Sequence, residues 1–257
     1  MNERELFDLV LLLGETMLSS GGEIFRTNEL MGGAARAFGL RQCSVFTIAN
    51  GIFLSAVVDG EHYSCQVRHI PLTPIRLSRV EAMNDLSRRI AGGLLTPQEA
   101  RAEVLAIRAS KGTGPLALTL ASAAGAGCFC FLFGGRLIDC VVAFLAGLLL
   151  SLFQLGFCRR FSIRKVMSNI LSSALVTLIC CTAFRLGLGQ LDKMIIGSIF
   201  PLVPGVALTI AVRNFMENDY IAGLVRLTDA LLVASCIAVG VGSVITVWSR
   251  LLGGIAL

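Results

Sequence analysis

The first residues that could do chemistry form a proline–glycine motif inside a long apolar run. Pro201-Leu-Val-Pro204-Gly205 lies within an uncharged stretch at 194–212. Proline removes a backbone donor and clashes with the carbonyl four residues earlier, so two prolines three apart predict a broken helix. Backbone groups freed at membrane depth are tolerated only beside protein or a water-filled cavity. The motif therefore indicates either a substrate site, as in transporters, or a simple packing kink.

Charged and amide side chains follow this motif closely. Asn214, Glu217 and Asp219 come directly after the run, and Arg226 and Asp229 lie three apart, hence on one helix face where they could pair. Ionisable groups at the edge of a membrane are costly and usually face a partner or a cavity. We interpret Asn214, Arg226 and Asp229 as candidate substrate groups. Glu217 and Asp219 are either proton or interface groups or part of a solvated loop.

One further acidic residue, Asp139, begins another apolar run next to Arg136. An interfacial ion pair with Arg136 is the favoured interpretation, and a proton or substrate group at the edge of the membrane is the alternative.

Signatures of enzymes are missing from the sequence. The two histidines, His62 and His69, are seven apart on predicted strands, and no phosphate loop, GxSxG or HExxH occurs. Most of the nine cysteines lie in apolar runs, as expected of small buried apolar residues. We expect no catalytic residue, no metal site and no cofactor.

The elements that must position these residues are membrane helices. Five uncharged runs of 19 residues or more occupy the second part of the chain, and about 20 residues cross the hydrocarbon core. The sequence predicts an α-helical membrane protein whose transmembrane domain, 112–257, has spans near 115–135, 138–158, 166–185, 194–212 and 222–248. Because these segments face lipid, the bilayer itself is a predicted partner.

Residues 1–111 predict a small cytoplasmic α+β domain. They hold 12 basic and 12 acidic residues, an ordinary density of charge. Helices are expected to about Gly21, from Ile24 to Phe38, from Ile75 to Ala91 and after the capping box at Thr96–Glu99. Strand patterns at 44–49, 52–57 and 63–69, joined by Asn50-Gly51 and Asp59-Gly60, predict a three-stranded antiparallel meander with type I′ turns.

Basic residues indicate the orientation. Lys111 and the cluster Arg159, Arg160, Arg164 and Lys165 are predicted to face the cytoplasm, which places the N-terminus inside and the C-terminus outside. We interpret this short basic cluster as a loop between two spans and not as a nucleic-acid surface, so no nucleic acid is expected as a partner.

Several segments together resemble the threonine/serine exporter (ThrE) family. They are Gly21-Gly22-Glu23 with Arg26 and Glu29, the Pro-Leu-Val-Pro-Gly element, Tyr220-Ile-Ala-Gly223-Leu-Val-Arg226, and Gly240-Val-Gly242. The chain length is similar to the YjjP-like larger subunit of the split-gene form. The resemblance implies a bacterial inner-membrane exporter of threonine and serine or of succinate, working with a smaller YjjB-like membrane subunit.

The resemblance transfers no substrate-binding residue onto a position here, so the site residues above depend on physical argument alone. The chain could also form a homo-oligomer, which is compatible with the resemblance. The rival hypothesis is a membrane-anchored sensing or scaffolding protein, in which residues 1–111 bind a ligand or partner and the helices only anchor them.

Overall fold

The computed structural model describes residues 1–48, 50–58, 61–64, 68–70, 75–110, 112–158, 160–161 and 163–252. The predicted Asp59-Gly60 turn, the side chain of His62, and the loop residues Lys111 and Arg159 lie outside the described residues or side chains. The chain divides into two compact units. The first comprises Met1–Gly112 with Asn214–Val225, and the second comprises Thr113–Arg213 with Arg226–Leu257.

The first unit contains four helices and a small sheet. Its helices are α1 (Glu3–Ser19), α2 (Ile24–Ala37), α3 (Leu77–Ala91) and α4 (Pro97–Ala109), and its strands are β1 (Arg41–Ile48), β2 (Gly51–Val58), β3 (Glu61–Ser64) and β4 (Arg68–His69). Local signals explain the helix ends. The side chains of Asn2 and Thr96 each accept a hydrogen bond from the backbone amide of a glutamate three residues on, and the carboxylate of that glutamate accepts the backbone amide of the cap residue.

The antiparallel sheet confirms the predicted meander. β2 pairs with β1 on one side and with β3 on the other, and β4 also pairs with β2. Residues 65–67 of the third predicted strand lie outside the described residues. The predicted type I′ turn at Asn50-Gly51 is wrong. The register pairs Gly51 with Ile48 and makes Gly51 the first residue of β2, so Asn50 and Gly51 are not the two central residues of the turn.

The core of the first unit forms where helix faces meet β2. Leu9, Leu13 and Met17 repeat every four residues along α1 and are at most 1 % exposed. They pack with buried residues of α2, β2, α3 and α4 in one cluster, which also includes Ala222. The unit therefore has a hydrophobic core of its own.

The second unit consists of apolar helices. They are α5 (Pro115–Leu132), α6 (Leu137–Leu152) with a π-helical continuation Phe153–Cys158, α7 (Lys165–Arg185), α8 (Leu191–Ile199) with a 3-10 turn Phe200–Leu202, α9 (Gly205–Met216) and α10 (Tyr220–Leu252). Four helices of the described chain are long and apolar enough to cross a membrane, and the α8–α9 pair allows a fifth span. This confirms a multi-pass protein with four to five candidate spans.

Small residues set the helix spacing in the second unit. A Cβ added at Gly147 of α6 would meet the Cβ of Ala126 on α5 at 2.7 Å, and one at Gly197 of α8 would meet Cys130 of α5 at 2.5 Å. At Gly240 of α10 an added Cβ would collide with the Ser173 hydroxyl of α7. Glycine at these positions lets backbones approach closely, as membrane helices commonly do.

Candidate functional site

The fourth predicted span is broken at its prolines, as the sequence predicted. α8 and α9 are bent by 61° at a break of few residues, so the pair is either one broken span or a re-entrant loop. The helical ladder stops at the 3-10 turn, where the Val203 amide donates to the Phe200 carbonyl at 3.0 Å. The Phe200 ring also stacks on Phe129 of α5, which holds the end of α8.

The first turn of α9 leaves backbone donors available. The Gly205 amide donates to the Val203 carbonyl at 2.9 Å, and the Leu208 amide donates to the Pro204 carbonyl at 3.0 Å. The amides of Val206 and Ala207 donate to no residue that the structure describes. An added Cβ at Gly205 would meet nothing within 4 Å. Two unpaired N–H groups at a helix N-terminus favour a negatively charged ligand.

Asp229 is held by Lys165, not by Arg226. The Lys165 ammonium, in the first turn of α7, donates to both Asp229 oxygens at 2.7 Å. The expected pairing of Arg226 with Asp229 is therefore replaced by a link between two helices. The link also places the start of α7 beside the early part of α10.

Arg226 is half-buried and makes no hydrogen bond or ion pair with any described residue. A guanidinium in an apolar helix usually has a partner, because an unpaired charge away from water is costly. Among the described residues, nothing occupies the donors of the Arg226 guanidinium, so they are available to a ligand. No hydrogen bond or ion pair among the described residues joins Arg226 or Asp229 to the Pro201–Gly205 break.

Three of the candidate residues, Asn214, Glu217 and Asp219, belong to the first unit. Asn214 is buried and its carbonyl accepts the Asp219 amide at 2.9 Å, which closes α9. The Asp219 carboxylate accepts the Ala222 amide at 3.2 Å and so caps the start of α10. Glu217 is exposed. The geometry gives Asn214 and Asp219 structural contacts, and their roles toward a substrate stay predictions.

Asp139 is fully buried, and both of its oxygens accept backbone amides. One accepts the Arg136 amide at 2.8 Å and the other accepts the Gln190 amide at 2.6 Å, across 51 residues. The ion pair expected with the Arg136 guanidinium is not among the described contacts; the link to that residue is through its backbone. Gly189, with φ +71°, lets the loop before α8 approach the carboxylate.

Sequence reasoning missed two partners, Lys165 and Gln190. Lys165 stood out only as one of a basic cluster, and Gln190 carries no signal because its backbone makes the contact. The sequence Leu-Gly-Leu-Gly at 186–189 was the available signal that this loop approaches another segment closely, since glycine is favoured where φ is positive.

These features define a multi-pass membrane protein with a broken apolar helix and a separate α+β unit. Residues 8–248 match a family model described as "Putative threonine/serine exporter" (ThrE). The chain belongs to the threonine/serine exporter family, as its motifs indicated.

A curated relative is similar over nearly the whole chain. The "Probable threonine/serine exporter" of Mycobacterium tuberculosis (strain ATCC 25618 / H37Rv) is 24 % identical over 244 residues, which cover 94 % of this chain and 46 % of that protein. The chain thus spans about half the length of the curated relative that it matches. No solved structure matches this chain.

Proposed function

We propose that this chain is one subunit of a secondary exporter for small carboxylate-bearing metabolites, threonine and serine or a succinate-like dicarboxylate. The observation that carries the proposal is the family match over residues 8–248. Since the chain covers 46 % of the relative, a smaller membrane subunit supplies the remaining helices in this proposal. The protein then acts in the bacterial inner membrane, with residues 1–111 in the cytoplasm and the C-terminus outside.

The broken span and Arg226 provide the substrate chemistry in this proposal. Pro201, Pro204 and Gly205 open the helix, and the two unpaired amides of α9 favour a carboxylate. Arg226 supplies a planar donor that can bind both oxygens of a carboxylate. Asp229, once released from Lys165, either carries the proton or tunes the charge of Arg226 beside the substrate. Such breaks near the middle of the membrane are where many transporters bind their substrates.

Export from preloaded cells tests the function. Cells lacking their own exporters are loaded with threonine, serine or succinate, and efflux is measured with this chain alone, with the candidate small subunit alone, and with both. Efflux that requires both chains establishes a two-part exporter and identifies its substrate. If neither substrate class leaves the cells while both chains are in the membrane, the exporter proposal is wrong and the sensing alternative gains.

Variants of α10 test the assigned charges. Arg226→Gln is expected to lower efflux by about tenfold or more, because a hydrogen bond to a charged group contributes about 1.5–3 kcal/mol. Arg250→Gln is the matched control, since it removes the same charge from an exposed position in the same helix. If Arg226→Gln and Asp229→Asn both export at the wild-type rate with normal membrane abundance, the charge assignments are wrong.

A further inference from the structure

A polar cleft lies between α2 and α3, within the first unit. Its volume is about 280 Å³. The α2 side carries residues at positions 26, 29, 33 and 36, and the α3 side carries residues at 84, 87, 88 and 91. Each set follows one helix face, because residues three and four apart are neighbours on a helix. The cleft is therefore built by two regular elements and not by loops.

Positive charge dominates the cleft. Arg26, Arg36 and Arg88 line it with one carboxylate, Glu29, which leaves a net of two positive charges. Arg26 pairs with Glu29 at 3.3 Å, and Arg88 pairs with Asp85 at 3.2 Å, both within their own helices and exposed. Such exposed pairs contribute little and rearrange easily. Arg36 makes no ion pair with any residue that the structure describes.

The floor of the cleft has unused hydrogen-bonding groups and an open space. The side chains of Asn84 and Ser87 are part-buried, and neither hydrogen-bonds to a described residue. A Cβ added at Gly33 would meet nothing within 4 Å, so the space above this residue is empty for want of a side chain. Glycine inside a helix is less stable than alanine, and here it keeps the cleft open.

We propose that this cleft binds a small soluble metabolite carrying a phosphate group. Arginine forks match the oxygens of phosphate, and a phosphate ester carries nearly two negative charges at neutral pH, equal to the net charge of the lining. Asn84, Ser87 and Glu29 supply partners for hydroxyl groups. The volume of about 280 Å³ is just below the usual range for ligand pockets, which favours a metabolite over a larger nucleotide. The site consists of first-unit residues alone, and the inference does not depend on the proposed function.

Calorimetric titration of the purified full chain in a neutral detergent tests this site. The probe is glycerol 3-phosphate, with glycerol as the uncharged comparison. The wild-type protein is expected to bind one glycerol 3-phosphate and no glycerol. Arg36→Gln and Gly33→Met are each expected to weaken binding at least about tenfold, the first by removing a donor to the anion and the second by filling the cleft. Arg101→Gln, an exposed arginine of α4 outside the lining, is expected to bind within about twofold of wild type.

Three results of this titration would overturn the proposal. They are no saturable binding to the wild type, equal loss in Arg101→Gln, which would indicate diffuse charge attraction, and unchanged binding in Gly33→Met, which would place the anion elsewhere. The titration is repeated in nanodiscs with and without phosphatidylglycerol. Competition by that lipid would identify a headgroup as the occupant and exclude the soluble ligand.

Discussion

The buried carboxylate of Asp139 makes the sharpest stability prediction, because it accepts one backbone amide at the start of its own helix and one from the loop before α8. Asp139→Asn keeps one acceptor oxygen but turns an NH₂ group toward the second amide. A buried donor left without an acceptor costs about 1–3 kcal/mol, and bonds to a charged acceptor are the stronger ones. We expect a loss of about 2–3 kcal/mol, equivalent to about 5–10 °C in unfolding midpoint for a chain of this size.

Gly189 supplies an internal check on this reasoning. Gly189→Ala forces a side chain into a left-handed conformation, which costs about 1–2 kcal/mol, and its Cβ would also collide with an Asp139 oxygen. In the Asp139→Ala background the collision disappears and only the backbone cost remains. The two substitutions should therefore destabilise by at least about 1 kcal/mol less together than their separate effects imply.

Thermal unfolding in mild detergent, followed with a thiol-reactive dye, measures these effects because Cys130 and Cys180 are fully buried in the folded protein. Asp192→Asn is the control, since that carboxylate is on the surface of the same unit and pairs only with its neighbour Lys193 among the described residues. We expect its midpoint to change by less than about 2 °C. An unchanged midpoint for Asp139→Asn, or equal costs of Gly189→Ala in both backgrounds, would refute the reasoning.

Three more predictions concern single contacts. Lys165→Asp and Asp229→Lys should each lower membrane abundance, measured by quantitative blotting, and the double variant with exchanged charges should restore part of it. If the losses of the two single variants simply add in the double variant, the ion pair is contradicted. Gly240→Leu should lower the unfolding midpoint by more than about 5 °C, whereas Gly242→Leu, whose added Cβ meets nothing within 4 Å, should change it little. The pKa of Glu99 lies below its ordinary value of 4.5 because a backbone amide and a hydroxyl donate to the carboxylate; the stability that this contributes is present above pH 4.5 and is lost as pH falls through the lowered pKa. The advantage of wild type over Glu99→Gln should accordingly shrink in thermal scans at acid pH, and an advantage that grows there would contradict the assignment.

Features set by local physics could be predicted from the sequence. The charge-free runs predicted five spans because hydrocarbon excludes charge, and the structure has four to five candidates. Pro201 and Pro204 predicted the break because proline cannot continue a helical ladder. The helix that contains the last predicted span, 222–248, is longer than that span, since α10 runs from Tyr220 to Leu252.

Contacts between distant segments could not be predicted in the same way. Lys165 and Asp229 are 64 residues apart, and Asp139 and Gln190 are 51 apart. Their pairing depends on how the helices pack, which side-chain periodicity does not specify. The rule that residues three apart share a helix face allowed Arg226 to pair with Asp229, but a lysine from a neighbouring helix reaches that carboxylate instead.

The length of α10 has a consequence for the membrane around it. A helix of 33 residues is about 50 Å long, whereas the hydrocarbon core is about 30 Å thick. Its first six residues belong to the first unit, which accounts for about 9 Å, so an excess of about 10 Å is left to tilt or to project. A thicker bilayer would draw Arg226 and Asp229 toward the acyl chains, and a thinner one would leave them among the headgroups. Lipid chain length therefore sets how well hydrated these two charges are, without any change in the protein itself.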